Sequence, residues 1–118
     1  RYGLAFAREV TMDSTLMYAA VDSGEVDVIT AFSTDGRIPA FDLVLLEDPK
    51  QAIPPYDAVL LLAPGTAERR PALEQTLATL TDRISDEAMR RANRRVDVDG
   101  GTVAEAAAAL AAAIDATD

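Results

Sequence analysis

Apolar runs separated by turn residues characterise the first half of the chain. Val26–Phe32 is rich in β-branched residues, which predicts an interior strand. Asp57–Ala63 is nearly all apolar, which predicts a strand that is covered on both faces. Leu43–Glu47 predicts a further strand, and Tyr2–Phe6 predicts either a short strand or a lead-in segment. Prolines and turn residues lie between these runs, as expected for connecting loops.

A helical period appears once in the first half of the chain and dominates the second. Asp13 predicts an N-cap for a helix from about Ser14 to Ser23, which Gly24 closes. Three further helices are predicted from residues typical of a first turn or a cap: Pro71, Ser85, and the capping box of Thr102 with Glu105. Strands that alternate with helices in this order predict the α/β class with a largely parallel sheet.

Composition narrows the classes of function. The 118 residues are enough for one domain, and 11 basic against 20 acidic residues give a net charge of −9. This balance argues against nucleic acid or anionic lipid as a partner, because both need clustered basic residues. The chain contains no histidine and no cysteine, which excludes Ser-His-Asp triads, cysteine nucleophiles and ordinary zinc sites within it. No two acidic residues are placed to converge, so a carboxylate-dependent enzyme ranks last, and no metal or cofactor is predicted.

No segment has the length of a transmembrane helix, and no signal peptide is present. The chain opens at Arg1 and not at a methionine, so we expect a piece of a longer polypeptide.

Two aromatic residues lie at breaks in the backbone pattern and outside the apolar stripes of the helices. Phe32 ends a predicted strand just before a Ser-Thr-Asp-Gly turn, and Tyr56 follows two prolines and precedes the strand predicted at 57–63. In open α/β sheets ligands collect at strand ends, so an aromatic residue placed there can wall a pocket. Taken alone, each of these residues is more often a packing residue than a ligand contact.

An ordered set of motifs resembles one family, the osmoprotectant-binding proteins of ABC importers. These proteins take glycine betaine, choline, carnitine or related quaternary amines. The motifs are Leu16–Ala20, Gly24–Val28, Phe32–Ile38, Leu43–Asp48, Pro54–Asp57, and a tail of Ile84–Met89 with Asn93, Val96 and Asp97. The resemblance covers nearly the whole chain, and the order and spacing of the set are specific even though its single pieces are weak.

The resemblance implies part of a type II periplasmic binding-protein fold, in which two lobes close on the ligand like a Venus flytrap. Residues 1–31 would form the end of the second lobe, residues 32–36 the crossing between lobes, and residues 37–118 the C-terminal part of the first lobe. Thr34, Asp35 and Gly36 would then set the geometry of the hinge. Apolar surfaces such as Val59–Leu62 would normally face chain outside this piece, so we expect the isolated piece to self-associate.

The resemblance also implies the site. The family holds the quaternary ammonium in a cage of aromatic side chains, usually tyrosines, and two cage positions match Phe32 and Tyr56. A trimethylammonium group donates no ordinary N–H hydrogen bond, so aromatic faces hold it by cation–π attraction. Phe32 departs from the usual tyrosine by one hydroxyl. The remaining cage residues would lie upstream of Arg1.

The function implied is the solute-binding component of an importer, and such a protein is not an enzyme. Its partners would be a small quaternary amine and the membrane permease. Its location would be extracytoplasmic, as a lipoprotein, a soluble protein or a domain fused to the permease. The alternative is the effector-binding domain of a regulator with a related two-lobed fold. A DNA-binding helix-turn-helix upstream would favour the regulator, whereas a lipid-anchored leader or permease helices would favour transport.

Overall fold

Six helices run through residues 2–115, which are the residues that the computed structural model describes. They are α1 (Ser14–Asp22), α2 (Arg37–Ala40), α3 (Thr66–Arg69), α4 (Pro71–Ala78), α5 (Asp86–Asp97) and α6 (Val103–Asp115). Helix α5 packs against both α6 and α2, and α3 packs against α4, which follows it in the chain. The segments between α1 and α2, and between α2 and α3, consist of turns, bends and irregular backbone.

The predicted helices are confirmed, and their capping residues explain where they begin. The Asp13 carboxylate accepts a hydrogen bond from the Thr15 backbone N–H at 2.8 Å, and α1 follows. The Ser85 hydroxyl accepts from the Ala88 N–H at 3.2 Å at the start of α5. Before α6, Thr102 and Glu105 form the predicted capping box. Helices α2 and α3, of four residues each, were not predicted.

The predicted strands are wrong for the residues that the structure describes. The segments at 2–6, 26–32, 43–47 and 57–63 contain neither helix nor strand, and no strand ladder forms between residues 2 and 115. The described residues therefore form helices joined by long irregular connections. Val59, Leu60 and Leu61 are 73%, 65% and 89% exposed, so no second layer buries them. The physical reason is that β propensity is realised only when a neighbouring strand supplies backbone hydrogen bonds and a second layer covers the apolar side chains.

A small core forms where α1 meets α2. Tyr18 of α1 is 2% exposed, and its ring stacks on Phe41 with 6.1 Å between centroids. The Arg37 guanidinium lies 4.2 Å from the centroid of the Tyr18 ring. The same guanidinium donates two hydrogen bonds to the Asp35 carboxylate, from Nε at 3.0 Å and from Nη2 at 2.7 Å. Ile38 is buried beside these residues along α2. This cluster ties α1 to the turn that precedes α2.

The Tyr18 hydroxyl is buried, and no described residue lies in hydrogen-bonding geometry to it. Burial, and secondarily the Asp35 carboxylate, raise the pKa of Tyr18 to about 12. The interaction with Asp35 is therefore electrostatic and falls short of a well-formed hydrogen bond. Because the folded state holds the phenolic proton more tightly than an exposed tyrosine does, this group favours folding below its ordinary pKa of 10.

We expect Tyr18→Phe to remove an alkaline loss of stability. The contribution of the hydroxyl to folding is lost as the pH rises from the ordinary pKa of 10 through the folded value of about 12. The phenylalanine keeps the stack on Phe41 and the cation–π contact, so the melting midpoint at neutral pH stays the same or rises. Circular-dichroism melts over an alkaline pH series measure the effect. Tyr56→Phe, which changes an 85% exposed ring, is the matched control and keeps the wild-type profile. An unchanged alkaline loss in Tyr18→Phe would contradict the assignment.

We expect the 118-residue chain to self-associate through its exposed apolar segment 57–63. Val59, Leu60 and Leu61 form a contiguous apolar run with backbone groups available for pairing, and such a segment is a template for edge-to-edge association. Sedimentation velocity at micromolar concentration measures the oligomeric state. Leu61→Lys should reduce association, whereas Leu16→Lys on α1, also at an exposed leucine, should not. A monomer at every concentration would count against this prediction.

Candidate ligand-binding site

The structure brings the two predicted site residues together. Phe32 and Tyr56 are separated by 24 positions in the sequence, yet their ring centroids lie 5.5 Å apart with 38° between the planes. Their side chains are 64% and 85% exposed, so neither is a core residue here. Aromatic pairs at this separation attract each other in tilted arrangements. The pair therefore forms an open aromatic surface, which we call the Phe32–Tyr56 pair.

Each ring of the pair is presented by a restricted backbone. The Asp35 N–H donates to the Phe32 carbonyl at 3.0 Å, which closes a turn over residues 32–35. Tyr56 follows Pro54 and Pro55, whose fixed φ angles keep that stretch extended. Asp35 continues from the turn into α2, because its carboxylate accepts the Arg37 N–H at 2.9 Å. The predicted hinge residues Thr34, Asp35 and Gly36 thus lie in an ordered turn beside the pair.

A cavity of about 330 Å³ lies between α1 and this turn. Its wall includes Phe32, Tyr18 and the ion pair of Asp35 with Arg37, whose charged atoms lie 2.7 Å apart. The hydrogen bonds from Arg37 hold the pKa of the Asp35 carboxyl below its ordinary value of 3.8, and burial opposes this shift without overcoming it. The two charges on the wall therefore balance. A second cavity, of about 440 Å³, lies between residues 6–12 and 25–30 and contains no predicted site residue.

Sequence reasoning missed the contribution of α5 to the site. The Arg90 guanidinium donates to the Ser33 carbonyl at 2.6 Å, and the Asn93 amide donates to the Thr34 carbonyl at 2.8 Å. Both bonds span more than fifty residues, so no local pattern reports them. The signal that was available is Asn93 itself, a polar residue within the family-like tail motif.

The described residues contain neither a metal-ligand cluster nor a membrane-spanning helix. From residue 2 to residue 115, no group of three or more histidine, cysteine, aspartate or glutamate side chains is arranged to hold a metal ion. In the same part of the chain, no helix combines the length and the apolar character needed to cross a membrane.

Comparison with known proteins identifies the family. Residues 1–113 match the family OpuAC, described as the substrate binding domain of the ABC-type glycine betaine transport system. The chain is 38% identical over 96 residues to the carnitine transport binding protein OpuCC of Listeria monocytogenes serotype 1/2a (strain 10403S), covering 81% of this chain and 31% of that protein. It is 33% identical over 109 residues to the glycine-betaine-binding protein of Pseudomonas aeruginosa, covering 91% of this chain and 35% of that protein.

A third relative is named as both a permease and a binding protein. The ergothioneine transport permease/ergothioneine binding protein EgtU of Helicobacter pylori (strain G27) is 31% identical over 87 residues, which cover 74% of this chain and 16% of that protein. No solved structure matches the chain. The chain spans about a third of the length of the two binding proteins that it matches.

The family match confirms the resemblance that the sequence motifs carry. It extends over the Phe32–Tyr56 pair, the turn at 32–35 and helix α5, which are the elements that build the candidate site. The fold of the family is that of periplasmic binding proteins. The chain therefore belongs to the OpuAC family, the substrate-binding domains of ABC-type glycine betaine transport systems.

Proposed function

We propose that this chain is part of the solute-binding component of an ABC importer for quaternary ammonium osmoprotectants such as glycine betaine, choline or carnitine. The observation that carries the proposal is the Phe32–Tyr56 pair, two exposed aromatic rings 5.5 Å apart. The relatives named for carnitine, glycine betaine and ergothioneine support it, because these three compounds all contain a trimethylammonium group.

The chemistry of the pair suits that group. A trimethylammonium cation offers no N–H donor, so aromatic faces attract it through their quadrupoles and through apolar contact. The role of a binding protein is to hold this ligand and deliver it, which needs no catalytic group, so we propose that the chain is not an enzyme. The net charge of −9 adds a long-range attraction for cations and none for nucleic acid.

The lobe assignment is part of the proposal. Residues 1–31 would close the second lobe, residues 32–36 would cross between lobes with Thr34, Asp35 and Gly36 as the hinge, and residues 37–118 would return to the first lobe. The exposed apolar segments support this assignment, because runs such as 57–63 need partner strands that the longer relatives have room to supply. The protein would act outside the cytoplasm, with the membrane permease of the importer as its partner.

In the complete binding protein, we expect Tyr56→Ala and Phe32→Ala each to weaken binding of a quaternary amine at least about tenfold. A desolvated cation–π contact contributes about 2 kcal/mol, and 1.4 kcal/mol is a factor of ten. Phe32→Tyr should be mild, because it keeps the ring and adds only a hydroxyl. Calorimetric titration with glycine betaine, choline and carnitine measures affinity, and the thermal midpoint of each variant is recorded alongside.

Tyr18→Ala is the control for that comparison. Tyr18 lies in the core against Phe41, so its truncation should lower the melting midpoint more than the intrinsic affinity. If Tyr56→Ala stays folded and binds all three compounds normally, the cage assignment fails.

We expect the 118-residue chain by itself to bind these compounds weakly or not at all. The Phe32–Tyr56 pair leaves a bound cation largely in water, where a cation–π contact contributes only about 0.5–1 kcal/mol. Calorimetry on the isolated chain tests this. Binding in the micromolar range would show that the cage is complete within these residues, contrary to the proposal.

A further inference from the structure

Helix α5 holds the turn that carries Phe32 through two side chains one helical turn apart. Arg90 Nη1 donates to the Ser33 carbonyl at 2.6 Å, and Asn93 Nδ2 donates to the Thr34 carbonyl at 2.8 Å. Residues three apart lie on the same face of a helix, so one face of α5 grips two consecutive carbonyls of the turn. The carbonyls belong to Ser33 and Thr34, the two residues that directly follow Phe32.

The two carbonyls are available because of how the turn is built. Its internal hydrogen bond joins the Asp35 N–H to the Phe32 carbonyl, so Ser33 and Thr34 are its central residues. The carbonyls of central residues take no part in the bond that closes a turn and need partners elsewhere. Helix α5 supplies both partners. The turn is therefore fixed by its own hydrogen bond and by the two hydrogen bonds from α5.

Gly36 allows the helix to come this close. A Cβ built on Gly36 would lie 2.2 Å from the Arg94 backbone nitrogen and 2.6 Å from the Asn93 carbonyl carbon. The Gly36 φ angle is −67°, which any residue adopts, so glycine is needed here for space and not for conformation. The backbone of the turn therefore lies directly on the backbone of α5.

The orientation of Phe32 depends on this contact. Its ring is 64% exposed and is not seated in the core, so the backbone of residues 32–35 largely decides where the ring points. By contrast, α5 itself is also packed on α6, so it stays attached if one of its bonds to the turn is lost.

We infer that Asn93 and Arg90 are positioning residues for ligand binding, which act by holding the turn that presents the Phe32 ring. This inference rests on the proposed function of Phe32. Neither side chain needs to touch the ligand. Their role is to keep one wall of the aromatic site in register with Tyr56 before the ligand arrives, which lowers the cost of ordering the site on binding.

The test uses the complete binding protein and measures affinity for glycine betaine and choline by calorimetry. Asn93→Asp keeps the size of the side chain but replaces the amide donor by a carboxylate that faces the Thr34 carbonyl. We expect it to weaken binding about three- to tenfold, the range expected when one hydrogen bond contributes on the order of 1 kcal/mol. Asn93→Gln keeps an amide and should recover most of the affinity.

Arg91→Ala is the matched control on the same helix. Arg91 pairs with Glu87 on the solvent side of α5, where both side chains are more than 60% exposed. Its removal should leave the affinity unchanged. If Asn93→Asp does not fold, Arg90→Ala takes its place, because it removes the neighbouring bond to Ser33 without introducing a repulsive charge.

A double-mutant cycle separates positioning from general stabilisation. Phe32→Leu removes the aromatic face but keeps an apolar side chain, so binding stays measurable. If Asn93 acts through Phe32, Asn93→Asp costs little further affinity in the Phe32→Leu background. A merely structural role would lower the melting midpoint and leave the affinity of the folded protein unchanged.

Three results would overturn the inference. The first is wild-type affinity in Asn93→Asp while Phe32→Leu binds weakly, and this result leaves the proposed function standing. The second is an equal loss from Asn93→Asp in both backgrounds, which would place its effect elsewhere than on Phe32. The third is normal affinity in Phe32→Leu itself, which would remove the proposed function of Phe32 and the inference with it.

Discussion

The contact of Arg37 with Asp35 and Tyr18 is the interaction that ties α1 to the turn at residues 32–35 and to α2. One guanidinium closes on the Asp35 carboxylate with two hydrogen bonds and lies over the Tyr18 ring, so a single side chain joins α1, the turn and α2. The Asp35 side chain is only 13% exposed, and an unpaired carboxylate there would carry a desolvation cost. Its pKa is lowered by Arg37, so the pair contributes stability above the ordinary carboxyl pKa and loses it as the pH falls through the folded value.

The turn at residues 32–35 is held from two sides, and this explains how an exposed ring can be well placed. On one side it leads into α2 and the Tyr18 cluster, and on the other side it lies on α5 through Arg90, Asn93 and the missing side chain of Gly36. A ring that is to contact a ligand cannot be fixed by burial in a core. Its backbone has to be fixed instead, and the polar contacts of this turn do that without covering the π face.

Features that depend on contacts between nearby residues could be predicted from the sequence, whereas features that depend on distant residues could not. Asp13, Ser85 and Thr102 with Glu105 each report a helix start through contacts within three residues, and those helices form as predicted. The strand at 57–63 was predicted from composition alone, but a strand exists only beside a partner, and none lies within the described residues. Phe32 and Tyr56 could be predicted as site residues only through the family motifs. The hydrogen bonds from α5 to the turn join residues more than fifty positions apart, and no rule of sequence spacing predicts such contacts.

Under the proposed function, the open Phe32–Tyr56 pair accounts for recognition of the ligand's cationic group, whereas most of the affinity has to come from other parts of the protein. The pair recognises the trimethylammonium group that carnitine, glycine betaine and choline share, so it does not distinguish between them. Since Tyr56 is 85% exposed, most of the cation–π attraction is screened by water until something covers the pair. Affinity then comes from closure over the two rings, and selectivity from the groups that meet the other end of the ligand. Phe32 lacks the hydroxyl of a tyrosine, so its ring presents a purely apolar edge to the part of the protein that covers the pair.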